Sequence, residues 1–318
     1  MERKTFYLQY EIFPARFDRY PLDWDALFGR TAPLAVEIGF GNGEFLVEWA
    51  RQQPEWNFVG IEISAESMKR LQKRLHQEGC SNILPIRENA RFALRELFPD
   101  NRIRKVMMNF PDPWPKTHHE SRRLLNPDFV HTLAAVLEIE GEYELITDQE
   151  WYAGQARELF EANSCFQVEE IEQNPRRPVT TKYERKWRAM GRNTYRLLAR
   201  KRRGASLTRL LEDATMPHAF VTRPVQAEDI RQLAGLEYFE KDRLFVVKGT
   251  FTQLDRENFL IRVVAKDGDY HQNFYVLVKP HEDGRWLVKL DSTTLPYRTP
   301  AVKMAVWKIG ELLEQGST

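Results

Sequence analysis

Residues 34–43 read LAVEIGFGNG, a short apolar run that passes into glycines at every second position. The run predicts a buried strand, and the helical spacing of the apolar residues after it predicts a helix that begins near Gly43. Strand, glycine turn and helix form the arrangement in which a backbone approaches a nucleotide-like ligand closely. Residues 57–63 predict a second buried strand that carries Glu62, at the point where doubly wound folds hydrogen-bond a ribose.

The glycine spacing distinguishes this turn from that of dinucleotide-binding proteins. Gly39, Gly41 and Gly43 follow the pattern G-x-G-x-G, whereas dinucleotide binders carry G-x-G-x-x-G. Glu37 lies just before the glycines, where its carboxylate would repel a pyrophosphate but suit a ligand that carries a cation. This E-x-G-x-G-x-G stretch resembles the first motif of Rossmann-like methyltransferases that use S-adenosyl-L-methionine, a molecule with a sulfonium and an amino group. Since such glycine patterns also occur in turns without a ligand, this motif alone leaves both interpretations open.

Length and composition limit the class of protein. A chain of 318 residues favours two domains. It has no run of about 18 apolar residues, which predicts no membrane span, and its first residues lack the pattern of a signal peptide. Its two cysteines, Cys80 and Cys165, are far apart in sequence, which favours a reducing cytosol over a disulfide framework or a zinc site. We therefore expect a cytoplasmic protein without a bound metal.

Charge is unevenly distributed along the chain, although the formal net charge is only +1. Residues 176–203 contain twelve Lys or Arg residues against one acid, Glu184, and residues 116–123 form a second basic group in a proline-bounded loop. One such run is typical of a solvated face, whereas two in an otherwise balanced chain indicate a surface for a polyanion. The side chains that we expect to contact a nucleic-acid backbone are Arg122, Arg123, Arg176 and Arg177.

Strands and helices alternate from residue 34 to about residue 168; residues 166–172 predict a sixth strand and residues 193–199 a seventh. This alternation predicts a mainly parallel sheet with helices on both faces, an α/β fold. Ligands of such sheets bind at the carboxyl ends of the strands. The polar residues at or just beyond predicted strand ends are Glu37, Glu62, Asn89, Asp112 and Asp148.

The character of the chain changes after residue 203. Residues 205–225 predict a connector with a short helix, and the rest predicts antiparallel strands joined by hairpin turns and a closing helix. We therefore expect two domains, residues 1–204 and a C-terminal α+β extension of residues 205–318. The extension contains fifteen basic and sixteen acidic residues, so we expect no net electrostatic attraction to RNA from it.

Residues 109–123 read NFPDPWPKTHHESRR and follow the predicted fourth strand. Three prolines stiffen this loop, which carries Asp112 and Trp114. A rigid loop with one carboxylate and one aromatic ring could hold a flipped base by hydrogen bonding and stacking. A proline-rich turn with a capping Asp and a core Trp is the other interpretation, and the position after the fourth strand favours the functional one.

The combination of motifs resembles the bacterial tRNA (guanine-N7-)-methyltransferase family over about residues 5–200. The resemblance rests on the glycine motif, PDPWPK, the following His119, the Arg122-Arg123-Leu124 group, Asp148, and Thr181-Lys182-Tyr183-Glu184. It implies a Rossmann-like seven-stranded sheet with the last strand antiparallel, and methyl transfer from S-adenosyl-L-methionine to guanine 46 in the variable loop of tRNA. By this resemblance the cofactor-binding residues are Glu37, Gly39, Gly41, Gly43, Glu62, Asn89 and Asp112. The residues that it implies for the substrate guanosine are Lys116, Asp148, Thr181, Lys182, Tyr183 and Glu184.

The sequence departs from this family at three points. Asn89 stands where members often have Asp, Tyr183 stands where they often have Phe, and the segment after Gly204 has no counterpart in the short members. An Asn side chain can still hydrogen-bond the edge of an adenine, so we expect activity to be retained.

The chemistry implied by the resemblance fits these residue types. Guanine N7 carries an in-plane lone pair and no proton, so it needs no general base, and positive charge develops on the ring. We therefore expect Asp112 to be the catalytic residue, as an orienter and electrostatic stabiliser. Asp148 and Glu184 could accept from the guanine N1–H and amino group, which would select guanine over adenine.

Two alternatives stay open at this stage. The chain could methylate an amino group of another RNA base, although such enzymes typically carry an N-P-P-[YF] loop where this chain has F-P-D-P-W. It could also be a non-catalytic RNA-binding protein with a relic Rossmann-like domain, which the intact Glu37 and glycines argue against. The sequence does not distinguish a monomer from a homodimer.

Overall fold

The computed structural model of the chain describes residues 10–115, 123–213 and 215–316, without the side chains of Lys182, Tyr183 and Arg188. The chain divides into two compact units, Met1–Arg209 and Leu210–Thr318, each with an apolar core. The division follows Arg209, near the boundary expected at Gly204, while the functions assigned to the two segments stay predictions. No helix of the described residues has the length and apolar character that a membrane crossing requires.

The first unit is a sheet with helices on both faces. Its helices are α1 (Trp24–Phe28), α2 (Glu44–Gln52), α3 (Ala65–Glu78), α4 (Ala90–Leu97), α5 (Pro127–Val136), α6 (Glu150–Glu161) and α7 (Lys182–Ala189). Its strands are β1 (Leu34–Ile38), β2 (Asn57–Glu62), β3 (Ile83–Arg87), β4 (Ile103–Asn109), β5 (Leu137–Thr147), β6 (Phe166–Val168), β7 (Glu172–Gln173) and β8 (Tyr195–Lys201).

The strand order is β3-β2-β1-β4-β5-β8-β6, and the two-residue β7 pairs with β8. Neighbouring strands from β3 to β5 are parallel, whereas β8 is antiparallel to β5. The predicted Rossmann-like sheet with an antiparallel last strand is therefore confirmed. Because β1 lies between β2 and β4, all five of its residues are buried.

Two local features of the first unit differ from the expectation. The sixth strand ends at Val168 instead of continuing to residue 172, and β7 follows as a separate short strand. Helix α7 was not predicted, because its mostly charged sequence gives no clear apolar stripe. Thr181 is the N-cap residue of this helix, because its Oγ1 accepts the backbone N–H of Glu184 at 3.0 Å.

Gly43 allows α2 to begin close against α3. Its φ is +71°, and a Cβ at this position would lie 2.4 Å from Cδ1 of Leu71. A side chain here would both strain the backbone and displace a core leucine. The last glycine of the turn therefore has a packing role in addition to any role in ligand binding.

The second unit is an antiparallel sheet with a helix packed on one face. Its elements are β9 (His218–Val221), α8 (Ala227–Gln232), β10 (Glu237–Glu240), β11 (Arg243–Thr252), β12 (Phe259–Asp267), β13 (Tyr270–Pro280), β14 (Trp286–Leu290) and α9 (Pro300–Gln315). The strand order is β10-β11-β12-β13-β14-β9. The helix expected within residues 205–225 was wrong for the described residues, since His218–Val221 is a strand that pairs with β14.

Candidate active site at the carboxyl edge of the first sheet

The glycine turn leaves open space above the end of β1. Gly39 and Gly41 have φ values of +70° and +54°, which side chains rarely adopt, and a Cβ built on either would meet no atom within 4 Å. The backbone N–H of Gly39 donates to the carbonyl of Ile61 at 2.8 Å, which ties the turn to β2. The turn is therefore fixed in place and can admit a ligand close to its backbone.

Glu62 connects the glycine turn to the end of β2. Its Oε2 accepts the backbone N–H of Gly41 at 3.1 Å, and its Oε1 accepts those of Ile63 at 2.8 Å and Ser64 at 3.0 Å. A carboxylate offers about four acceptor sites, so capacity for a ligand hydroxyl remains. The contact of Glu62 with a ribose stays a prediction. In the structure the carboxylate of Glu62 also holds the glycine turn.

Glu37 is a buried carboxyl group with one oxygen unsatisfied. The residue is 1% exposed. Its Oε1 accepts Nδ2 of Asn109 at 3.0 Å, and its Oε2 has no hydrogen-bond partner among the described residues. Burial raises the pKa of Glu37 to about 8, although the hydrogen bond from Asn109 and the charge of Arg177 both lower it. A buried acceptor without a donor is costly, so this oxygen is suited to a donor supplied by a ligand.

Asn109 extends this contact to an enclosed arginine. Its Oδ1 accepts Nη2 of Arg177 at 2.9 Å, so the amide bridges Glu37 and Arg177. Sequence reasoning did not select Asn109 as a site residue, although it ends β4 and begins the proline-rich loop. Its position beside Glu37, which depends on the pairing of β1 with β4, was the missing information.

Arg177 and Glu184 form an enclosed ion pair. Nη1 of Arg177 lies 3.0 Å from Oε2 of Glu184, and the two side chains are 5% and 0% exposed. The guanidinium also lies 3.7 Å from Oε1 of Glu144 and over the ring of Phe45. We expected Arg177 to contact phosphate and Glu184 to contact guanosine, but in this arrangement each is enclosed and engaged by the other. Neither role is available without opening the pair, whereas Arg176 is exposed.

The loop after β4 has a strained backbone and an exposed carboxylate. Phe110 and Trp114 have φ values of 48° and 44°, which is unusual for residues with bulky side chains. Asp112 between them is exposed, and none of the described residues hydrogen-bonds to its carboxylate. Arg123 is buried and donates to the carbonyl of Trp114 at 3.2 and 3.1 Å. Arg123 was expected to contact phosphate, and here it holds the loop that carries Asp112.

The remaining predicted residues are partly placed by the structure. Asn89 is exposed after β3 and caps α4, since its Oδ1 accepts the backbone N–H of Arg91 at 2.9 Å. Asp148 follows β5, and its Oδ2 accepts Nε2 of Gln149 at 2.9 Å. Lys116 and Arg122 lie outside the described residues, as do the side chains of Lys182 and Tyr183. The strand order brings Asn89, Glu62, the glycines, Asp112 and Asp148 to one edge of the sheet, in that spatial order.

Much of the basic run in residues 176–203 is neutralised by acids from other segments. Arg196 lies 3.3 Å from Glu144, and Arg200 lies 2.8 Å from Glu142. Both acids belong to β5, which pairs with β8. A count along the sequence could not include these partners, so the run overstates the exposed positive charge.

Groups of His, Cys, Asp or Glu that could hold a metal ion are absent from the part of the chain that the structure describes.

Comparison with known proteins assigns the family. Residues 31–197 match the family model described as "Putative methyltransferase". A tRNA (guanine-N(7)-)-methyltransferase of Thermotoga maritima is 45% identical over 311 residues, which cover 97% of this chain and 98% of that protein. Proteins of the same name are 31% identical in Aquifex aeolicus, over 88% of this chain and 94% of that one, and 32% identical in Thermus thermophilus, over 95% and 96%. The chain therefore belongs to the tRNA (guanine-N(7)-)-methyltransferase family.

Proposed function

We propose that the protein transfers a methyl group from S-adenosyl-L-methionine to N7 of guanine 46 in the variable loop of tRNA. The names of its relatives support tRNA and guanine N7, and the family resemblance of the motifs supports position 46. The observation that carries the proposal is the buried carboxyl of Glu37, which has an unsatisfied oxygen beside the open glycine turn. A tRNA substrate and two free cysteines support a cytoplasmic location.

The residues at this edge fit the cofactor. S-adenosyl-L-methionine supplies an electrophilic methyl group on a sulfonium. Oε2 of Glu37 can accept from a cationic amino group, and Glu62 retains capacity for a ribose hydroxyl. Any other residue at position 39 or 41 would place a side chain in the space that Gly39 and Gly41 leave open. Asn89 has its amide NH₂ available to an adenine edge while its Oδ1 caps α4.

The guanosine side of the site relies on the two neighbouring strand ends. Asp112 stabilises the positive charge that develops on the guanine ring through its negative carboxylate. This carboxylate is exposed and lies on a rigid loop, so it is accessible to the base and held in place. Asp148 accepts from the guanine N1–H and amino group. Thr181 helps to place α7, and Lys116, Lys182 and Tyr183 stay predicted guanosine contacts. For Glu184 we propose a positioning role through Arg177, because direct contact with guanine requires opening their ion pair.

Cofactor affinity should rise with pH below about 8. In the free protein the pKa of Glu37 is raised to about 8, so its carboxyl is largely protonated at pH 6. A cationic amino group beside it would lower this pKa, so binding would release a proton and become tighter as pH rises. Calorimetry between pH 6 and 7.5, in buffers of different ionisation enthalpy, measures both the affinity and the proton release. Glu37→Gln should remove the pH dependence; an unchanged slope in that variant would exclude Glu37 from the amino-group contact.

Nucleoside analysis separates this function from the two alternatives. The protein is incubated with labelled S-adenosyl-L-methionine and unmodified tRNA, which is then digested to nucleosides. We expect the label in 7-methylguanosine. Label in a methylated adenosine or cytidine would support the amino-group alternative, and cofactor binding without label would support a non-catalytic RNA-binding protein.

We propose that residues 1–209 fold and bind the cofactor without the second unit. Every residue proposed to contact cofactor or guanosine lies in the first unit, which has its own core. The truncation should follow Arg209, because its Nε and Nη2 donate to the carbonyls of Arg95 and Phe98, each at 2.9 Å. Thermal unfolding and a cofactor titration of the truncated chain test the proposal. A cooperatively folded chain without cofactor affinity would place part of the site in the second unit.

A further inference from the structure

The second unit has one sheet face that its core does not use. Along β11–β14 and β9, buried residues alternate with less buried ones, and the buried set forms the core with α9. We call the opposite side the outer face. Strand pairing aligns its residues in rows across the sheet, such as Leu244, Lys266 and His271, or Leu260, Leu277 and Lys289.

Along β9 and β11–β14, the charged residues of the outer face have one sign, while the acid Glu237 of the edge strand β10 lies opposite Val246 at the border of this face. Its basic residues in regular strand positions are Arg262, Lys266, Lys279 and Lys289. No acid occupies an outward position of β9 or β11–β14, all of whose residues are described, and the single acid of these strands, Asp267, is 5% exposed and lies on the core side. The balanced charge of the whole segment therefore conceals a basic face, because its acids lie outside the outward positions of β9 and β11–β14.

The cations of the outer face are also unpaired. None of the side chains of Arg262, Lys266, Lys279 and Lys289 forms an ion pair or hydrogen bond with a described residue. Several other basic residues of the same unit, though not Lys241, are ion-paired within the described residues: Arg223, Arg231, Arg256, Arg285, Lys303 and Lys308. Cations that lie together on one face without a partner in the described parts of the chain are suited to an external polyanion.

Aromatic rings lie among these cations. Tyr275 is directly opposite Arg262 in the pairing of β12 with β13. The exposed Phe251 lies 6.3 Å from the ring of Tyr275, and the guanidinium of Arg285 lies 3.8 Å from the ring of Phe220 at the other end of the face. Rings interleaved with cations are the combination that binds unstacked bases and the backbone between them.

We propose that the outer face binds the tRNA substrate, with its cations on phosphates and its aromatic rings against unpaired bases. This inference rests on the proposed function, which supplies tRNA as the polyanion. It assigns the second unit a role in holding RNA and leaves the chemistry to the first.

The test replaces three cations of the face in the full-length chain and compares a matched control. Arg262→Gln, Lys266→Gln and Lys289→Gln are combined in the face variant. The control combines Arg231→Gln, Lys241→Gln and Arg256→Gln, which remove the same charge from exposed positions outside β9 and β11–β14. Dissociation constants for tRNA are measured between 50 and 300 mM salt, and thermal unfolding confirms that both variants are folded.

We expect the face variant to bind tRNA at least about tenfold more weakly at moderate salt. Its slope of log affinity against log salt should fall by about 2–3, since each lost phosphate contact removes about 0.7–0.9. The control should match the parent protein, apart from a small change in tRNA affinity that is the same at every salt concentration. If the two variants share the same affinity and slope, the face does not bind tRNA and the proposal is overturned.

A second variant and a product analysis separate this proposal from the proposed function. Tyr275→Leu keeps an apolar side chain and removes the ring, so tRNA affinity should fall several-fold with an unchanged salt slope; unchanged affinity would remove base stacking from the proposal. At saturating tRNA the face variant should still form 7-methylguanosine. If the parent protein forms none, the proposed function fails, while the salt slopes still decide whether the face binds RNA.

Discussion

Asp112→Asn is expected to lower the rate of methyl transfer by about 100- to 1,000-fold, the usual loss when one preorganised electrostatic group is removed. The substitution keeps the shape of the side chain and removes its charge. The loop is stiffened by Pro111 and Pro113 and held by Arg123, so Asn should occupy the same position. Single-turnover rates at saturating tRNA and cofactor measure the chemical step directly.

Three further measurements define what Asp112 does. Affinities for tRNA and cofactor should change little, because the lost interaction develops with the charge on the ring. Asp255→Asn, an exposed substitution in the second unit, should leave the rate unchanged. The pH–rate profile should lack a limb for a base acting on N7, since that atom carries no proton. Full activity of Asp112→Asn would contradict the electrostatic role.

Arg177→Met should destabilise the protein by about 3–5 kcal/mol, the usual cost when one partner of a buried ion pair is removed. The change leaves the buried carboxylate of Glu184 without its guanidinium and removes the donor to Asn109. It should also raise the pKa of Glu37 further, because Arg177 is one of the groups that lower it. Denaturant unfolding measures the loss of stability.

Two variants make the role of Arg177 testable. Arg176→Met alters the exposed neighbour and should change the free energy of unfolding by no more than about 0.5 kcal/mol. The double variant Arg177→Met with Glu184→Gln should recover part of the loss, since the carboxylate that lost its guanidinium is then replaced by a neutral amide. Equal stabilities for Arg177→Met and Arg176→Met would mean that the enclosed pair contributes nothing to the fold.

The sequence was informative where function depends on local order along the chain. The apolar run before the glycines and the polar residues after successive strands predicted the sheet and the edge at which these polar residues lie, because each signal lies within a few residues. The sequence also predicted most strands of the second unit.

It failed where a residue's environment comes from distant segments. Asn109 meets Glu37 only through the pairing of β1 with β4, and Arg177 finds its acids on β5 and α7. For the same reason charge counting overstated the basic run around β8 and missed the basic outer face of the second sheet. Strand alternation sorts charges by face, which a net count does not detect.

The central claim, attack by guanine N7 at position 46, is tested most directly by changing that one atom in the RNA. A tRNA with 7-deazaguanine at position 46 has a C–H in place of N7 and keeps the pairing edge of guanine. We predict that the protein binds this tRNA as well as the unsubstituted one and transfers no labelled methyl group to it, while the unsubstituted tRNA is methylated. Undiminished methylation of the 7-deazaguanine tRNA would contradict the account.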